Sequence, residues 1–211
     1  MLGLCLLAMF SCGDHTPETM TPGTAEDTIR VCEHNAVIEN IMARRSIRKY
    51  KKEIPGRDTL ELIMKCGINA PNGQNKQSWE VRVVDNPALM DEFKSTMVAA
   101  YPDMEPGRLS ECFRGAPVMV FIARDNSYDF SAYDCGLLAE NIMLSAASLN
   151  VGSVCLGSPV RFINGSPACA SVLKRLDFSE GYELCLCVGL GYPDETPDAK
   201  PRDWGKVKFV E

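Results

Sequence analysis

The chain has 211 residues, 45% hydrophobic and 24% charged, a balance that supports one packed core and excludes a disordered polyelectrolyte. A formal net charge of -6 leaves no broad positive field of the kind that holds a phosphate backbone, so nucleic acid is excluded as the expected partner.

The first element in chain order is an apolar run, Leu2 to Phe10, which stops at Ser11-Cys12. It is far too short to span a bilayer as a helix. It has the form of a secretory signal, and a small residue before a cysteine has the form of a lipoprotein cleavage site. Met9 stands where such sites usually carry Leu, and no basic residue precedes the run. The expectation is a signal over residues 1–11 and a lipid on Cys12 that tethers the protein outside the cytoplasmic membrane. The alternative is a buried or frayed apolar terminus in a cytoplasmic protein. Residues 12–34 carry Thr, Pro, Glu, Asp and Gly with few apolar side chains, the composition of a flexible tether. One folded domain is expected over residues 35–211.

Within that domain Val37, Ile38, Ile41 and Met42 recur at helical spacing and lead into Arg44-Arg45-Ser46-Ile47-Arg48-Lys49-Tyr50. A second helix is expected from Asp58, as its cap, to Ala70, closed by Pro71-Asn72-Gly73. Trp79 to Val84 alternates as a strand does, and Pro87 begins a helix that runs to about Tyr101. Val118 to Ala123 is a continuous apolar run, typical of a central strand. The longest helix is expected from Asp129 to Asn150, with Leu137, Leu138, Ile142, Leu144, Ser145 and Leu149 on a largely apolar face. Two further strands cover Val151 to Leu156 and Tyr182 to Leu190. The order of elements predicts an α+β fold with helices around one sheet.

Ten cysteines are present, without any CxxC pair. Cys5 and Cys12 belong to the signal, and the other eight (Cys32, Cys66, Cys112, Cys135, Cys155, Cys169, Cys185 and Cys187) read as small buried hydrophobes. Cys185 and Cys187 are two apart, so both sulfurs are expected on one strand face. With only His15 and His34 available, no metal site is expected.

Two cationic clusters lie at opposite ends of the domain: Arg44, Arg45, Arg48 and Lys49, and then Lys200 with Arg202. Guanidinium forks beside the Ser46 hydroxyl suit a phosphate monoester. The competing reading is a basic end to the first helix that complements its dipole. Ala70 to Trp79 is a loop of turn formers and amides, able to meet a heteroaromatic edge or to serve as a plain turn. Gly152-Ser153-Val154-Cys155-Leu156-Gly157 ends a strand in glycine, where a flat ligand could come close to the backbone. No Ser-His-Asp set, carboxylate dyad or phosphate loop is present, and Gly189-Leu190-Gly191 ends a strand before Tyr192-Pro193, so it cannot open a dinucleotide-binding helix. A bound cofactor is then expected to carry any chemistry.

Taken in order, RRSIRKY, APNGQNKQSW, the helix from Asp134, GSVCLG and LGYPDETPDAKPR resemble the nitroreductase superfamily from Ile38 to Arg202. The resemblance implies a mixed, mainly antiparallel sheet flanked by helices and a homodimer with FMN at the subunit interface. It puts the FMN phosphate on Arg44, Arg45, Ser46 and Arg48, with Lys200 and Arg202 as the distal pair. It puts the flavin-lining loop of the other subunit on Pro71, Asn72, Gly73 and Asn75, and main-chain donors near the reactive edge on Leu156 and Gly157. Asn72 replaces the family's Ser and Ser78 its Pro. No catalytic side chain is implied. NADH or NADPH would reduce the flavin and then give way to a small acceptor such as a nitroaromatic or quinone, in a ping-pong cycle. Alternatives are a flavoprotein of the same fold that dehalogenates or degrades flavin, and a non-enzymatic ligand-binding lipoprotein. Export and a nicotinamide donor pull in opposite directions, because that donor is scarce outside the cytoplasm.

Overall fold

The computed structural model describes residues 35–211, so the expected signal, the tether and Cys32 lie outside the described residues. Asn35 caps the first helix, α1 (Ala36–Ala43): its side-chain oxygen accepts from the N–H groups of Val37 and Ile38 at 3.0 and 3.2 Å. Residues 40–211 form one unit. In chain order it holds α2 (Arg57–Ile68), β1 (Trp79–Val84), α3 (Pro87–Ala100), α4 (Pro106–Ser110), β2 (Val118–Asp125), α5 (Ser131–Ser148), β3 (Gly152–Leu156), α6 (Ser158–Asn164), α7 (Ala170–Leu176) and β4 (Tyr182–Gly191).

Each element expected with bounds is present within two residues of its expected ends. The cap of α2 is a correction: Gly56 holds the N-cap, and Asp58 lies inside the first turn, where its charge meets the positive end of the helix dipole. Asn86 caps α3 by accepting from the N–H groups of Ala88 and Leu89 at 2.9 and 3.3 Å, with Pro87 in the first turn. Helices α4, α6 and α7 were not expected. With five to seven residues each they show too few turns for an apolar period to stand out.

The four strands are ordered β1-β2-β4-β3, and all three pairings are antiparallel. Among the described residues the one parallel pairing is an isolated bridge between Ser46 and Ser153, so the four-stranded sheet itself is antiparallel throughout. Residues 118–123 of β2 are buried on both faces, which is why that stretch is uniformly apolar, and the charged Arg124 and Asp125 follow where burial ends. On one face Val118, Val120 and Ile122 pack with Leu60 and Ile63 of α2 and with Leu138 and Ile142 of α5. On the other, Met119 and Phe121 pack with Met90, Phe93 and Met97 of α3, Ile163 of α6, and Val172 and Leu176 of α7. Phe121 meets Phe93 edge to face at 5.8 Å and Phe113 at 6.5 Å, contacts worth about 0.5–1.5 kcal/mol each beyond their buried area.

The cysteines depart from expectation in two places. Cys112, Cys135, Cys169 and Cys187 are buried and Cys66 and Cys185 partly so, whereas Cys155 is exposed. Cys185 and Cys187 lie on opposite faces of β4, since Cys187 belongs to the α3 side and Cys185 packs toward the α5 side. A β-bulge is the cause: Ile122 pairs with Leu186 and Ala123 with Leu184, which leaves Cys185 as the extra residue and shifts the alternation. The face of α5 also differs. Cys135, Leu138, Ala139, Ile142, Met143 and Ala146 are buried, but Leu137 is exposed.

Candidate cofactor site

The basic segment after α1 is extended and laced into the sheet edge. Ile47 donates its N–H to the carbonyl of Ser153 at 2.9 Å, Lys51 donates to Tyr192 at 2.9 Å, and Asp194 donates back to Lys49 at 2.9 Å. The Tyr50 hydroxyl donates to the carbonyl of Ile47 at 2.6 Å, and burial holds this phenol above its ordinary value, with the Glu195 charge adding to the effect. Tyr50 is thus a neutral donor that ties the segment to its own backbone.

Beside this segment an open cleft of about 420 Å³ is lined by Arg44, Arg45, Ser153 and the last turn of α5. Two polar atoms in it lack any partner and are shut from solvent: Nη1 of Arg44 and Oγ of Ser153. The nearest counter-charge to Arg44 is Glu140, 4.0 Å from Nε, a distance at which a half-exposed pair contributes little. A buried donor without a partner costs about 1–3 kcal/mol. A guanidinium and a hydroxyl left in that state beside one cleft fit an anion with several acceptor oxygens, as a phosphate monoester is.

The rest of the basic cluster is committed within the chain. Arg45 donates through Nη1 to the carbonyls of Met42 and Arg44 at 2.6 and 2.9 Å, so it serves the end of α1 while lining the cleft. Arg48 is exposed and donates to the carbonyl of Ser46 at 3.1 Å. The Glu195 carboxylate accepts from the N–H of Arg48 and, at 3.2 Å, from that of Lys49. Those two backbone donors are therefore taken by an internal anion, and side chains are left to meet an external one. Lys200 and Arg202 lie in the exposed C-terminal segment, where Arg202 donates to the carbonyls of Lys200 and Pro201 at 3.1 and 3.5 Å. Among the described residues neither is bonded to Arg44, Ser46 or Arg48, so one chain alone does not bring the two clusters together.

The loop from Pro71 to Ser78 is held in a conformation that most residues avoid. Gln74, Asn75 and Gln77 have φ of 55°, 54° and 48°, all left-handed. Such positions cost of order 1 kcal/mol or more each for side chains like Gln and persist only where surroundings impose them. Three bonds impose them here. Asp134, buried in the first turn of α5, accepts the N–H of Gly73 at 3.0 Å and the Ser78 hydroxyl at 2.6 Å, and the Asn72 side-chain oxygen accepts the N–H of Gln77 at 2.9 Å. An added Cβ at Gly73 would fall 2.1 Å from the Tyr128 hydroxyl, so any larger residue there would displace the Tyr128 side chain. Pro71 and Asn75 are exposed.

At the end of β3, Leu156 is buried and Gly157 is exposed. A Cβ at Gly157 would meet nothing within 4 Å, so no packing inside the chain demands glycine there and the backbone is open to a ligand. Ser153 lies near the start of β3 and Gly157 just past its end, four residue steps or about 13 Å apart at the usual rise.

Sequence reasoning missed Asp134, Ser153 and Glu195 as site residues. Asp134 had a legible signal: it sits four residues before Leu138, in phase with the buried stripe of α5, where an unpartnered carboxylate could not stay. Ser153 and Glu195 had none, because their roles come from contacts with residues more than a hundred positions away.

Comparison with known proteins identifies the family. Residues 41–192 match the nitroreductase family model. A nitroreductase with bound FMN from Desulfitobacterium hafniense DCB-2 superposes with a TM-score of 0.76 at 33% identity, over 84% of this chain and 99% of the other. A nitroreductase with bound FMN from Bacteroides fragilis gives 0.75 at 27% identity, over 84% of this chain and all of the other (100%). An NADPH-flavin oxidoreductase of Vibrio harveyi is 29% identical over 178 residues, which cover 80% of this chain and 70% of that protein. With a family match over residues 41–192, the chain belongs to the nitroreductase family.

Proposed function

We propose that this protein is an FMN-dependent oxidoreductase that takes electrons from NADH or NADPH and passes them to a small acceptor such as a nitroaromatic or quinone. The observation that carries this reading is the cleft in which Arg44 Nη1 and Ser153 Oγ are both buried without a partner. The FMN-bound relatives support the same cofactor here. Bound FMN would supply the two-electron redox chemistry. Arg44 and Ser153 would hold its phosphate, with the Ser46 hydroxyl as a further neutral donor and Arg48, Lys200 and Arg202 completing a charged shell around it. Gly157, bare of side chain, leaves main-chain donors free at the far end of β3. Asp134 fixes the shape of the Pro71 to Ser78 loop, and that loop shields the ring system from water. Donor and acceptor would use one open face in turn, which makes the kinetics ping-pong.

The reading includes a homodimer. Phe130, Tyr133 and Leu137 expose 56%, 69% and 44% of their surface at the start of α5, and Trp204, Phe209 and Val210 expose 73%, 86% and 96% in the C-terminal segment. Apolar surface of that extent on consecutive stretches is normally covered by a partner. The lipid on Cys12 belongs to the same proposal, and mass spectrometry of the mature protein would detect the acylated cysteine.

The decisive experiment supplies FMN to the purified protein and records flavin absorbance and size in solution. A yellow dimer bleached by NADH or NADPH and recoloured by a quinone is expected, with parallel double-reciprocal plots. A colourless monomer would overturn the proposal.

A further inference from the structure

Past the end of β3, a second cleft of about 370 Å³ opens between α4, the turn Glu111–Phe113 and α6. Three arginines from three different elements line it: Arg108, Arg114 and Arg161, together with Ser158, which follows Gly157 directly. Every other arginine among the described residues has its guanidinium in an ion pair or a hydrogen bond, namely Arg44, Arg45, Arg48, Arg57, Arg82, Arg124, Arg175 and Arg202. Among the described residues these three have none, although Glu105 and Glu111 line the same cleft. Arg114 is held with φ of 56°, directly before Gly115 at 64°, so two successive left-handed residues set the position of that arginine. A left-handed arginine is costly, and such strain is retained where a side chain's position matters.

We infer that this cleft takes the pyrophosphate of the nicotinamide dinucleotide donor. The inference rests on the proposed function, because that reading puts the reactive edge of the cofactor at Gly157, next to Ser158. A donor whose nicotinamide reaches that edge would extend its two phosphates past Ser158 toward the guanidiniums that line the cleft. Planar forks pair phosphate oxygens two at a time, and three of them match the oxygens of a diphosphate better than those of a single carboxylate. Glu105 and Glu111 cut the formal charge of the lining to 3 − 2 = +1. Selection then depends on bidentate pairing at short range, and a diffuse anion gains little.

The test compares the wild type with Arg114→Glu and Arg161→Glu, singly and together. Four probes are used: NADH and NADPH, the phosphate-free donor 1-benzyl-1,4-dihydronicotinamide, and ADP-ribose, which carries the pyrophosphate without the nicotinamide. In the wild type, ADP-ribose binding is measured by calorimetry whether or not FMN is present. The charge reversals are expected to weaken ADP-ribose and both dinucleotides by roughly tenfold or more. Flavin reduction by the benzyl donor, FMN affinity and the thermal transition stay unchanged. Equal effects on the dinucleotides and the benzyl donor, or no effect on either, would overturn the inference, as would a wild type that does not bind ADP-ribose. Binding of ADP-ribose that the reversals abolish, in a protein whose flavin no donor bleaches, would uphold the cleft and remove the proposed oxidoreductase activity instead.

Discussion

Asp134 and Ser78, 56 residues apart in sequence, are joined by a 2.6 Å hydrogen bond buried beneath the loop that leads into β1. The same carboxylate accepts the N–H of Gly73 at 3.0 Å, so one side chain closes both ends of the loop. Asp134→Ala leaves two donors without a partner and is expected to cost about 2–3 kcal/mol, read from the urea midpoint at constant slope. Ser78→Ala removes only one partner and is expected to cost about 1 kcal/mol. Equal costs for the two variants would show that the Gly73 bond contributes nothing.

A trade between stability and cofactor binding is expected at Ser153. Its hydroxyl is buried with no partner in the chain, so Ser153→Ala relieves an unsatisfied group and leaves the flavin-free protein equally stable or up to about 1 kcal/mol more stable. The same variant is expected to weaken FMN several-fold while riboflavin, which lacks the phosphate, is unaffected. Arg44→Ala should weaken FMN by about tenfold or more, on the strength of a charge-assisted bond. Fluorescence titration with the two flavins checks both, and equal losses for riboflavin would place these residues away from the phosphate.

The crossing of α2 and α5 depends on Gly67. An added Cβ would lie 2.6 Å from Cγ1 and 3.2 Å from Cδ1 of Ile142, a fully packed core residue. Gly67→Ala gains about 1 kcal/mol of helix propensity but forces a displacement that costs about 1–3 kcal/mol. Net destabilisation is therefore expected, and Gly67→Ala combined with Ile142→Ala, which removes both clashing carbons, should cost less than the two single changes summed. Thermal unfolding of the three variants gives the sign.

Cys185 is the thiol expected to react first near neutral pH. The neighbouring Cys135 thiol stabilises its thiolate by hydrogen bonding, and the Arg124 charge adds to this, so its pKa is held below the ordinary thiol value. Burial pushes Cys187 well above that value and Cys112 up to about 12. A lowered value means that thiolate is present at lower pH. Iodoacetamide labelling, mapped by peptide mass, should therefore mark Cys185 at neutral pH and leave Cys112 and Cys187 unmodified. Cys135→Ala returns Cys185 toward the ordinary range and slows its labelling at pH 7.

What could be read without coordinates was what repeats locally. The apolar periods of α3 and α5 and the unbroken run of β2 located the main elements within two residues, since burial on one helix stripe or on both strand faces writes itself into neighbouring positions. The order of the short motifs pointed to the nitroreductase family. Cys185 and Cys187 show the limit of such reading: their two-residue spacing is in plain view, but the bulge that separates them is set by pairing with Ile122 and Ala123 on another strand. Arg45 shows another limit, because whether its guanidinium serves a ligand or the end of α1 depends on where the carbonyls of Met42 and Arg44 come to lie.

The sequence by itself determined the longer elements, the apolar centre and the family of this protein, because these follow from residue types at fixed local spacing. Only the tertiary structure decided that Asp134 anchors the loop, that Ser153 and Arg44 share one cleft, and that Glu195 takes the backbone donors of Arg48 and Lys49. Each of those pairings joins residues tens to more than a hundred positions apart. No local pattern encodes such a contact; it exists because burial of two apolar sheet faces brings the segments together and leaves their polar groups to find one another.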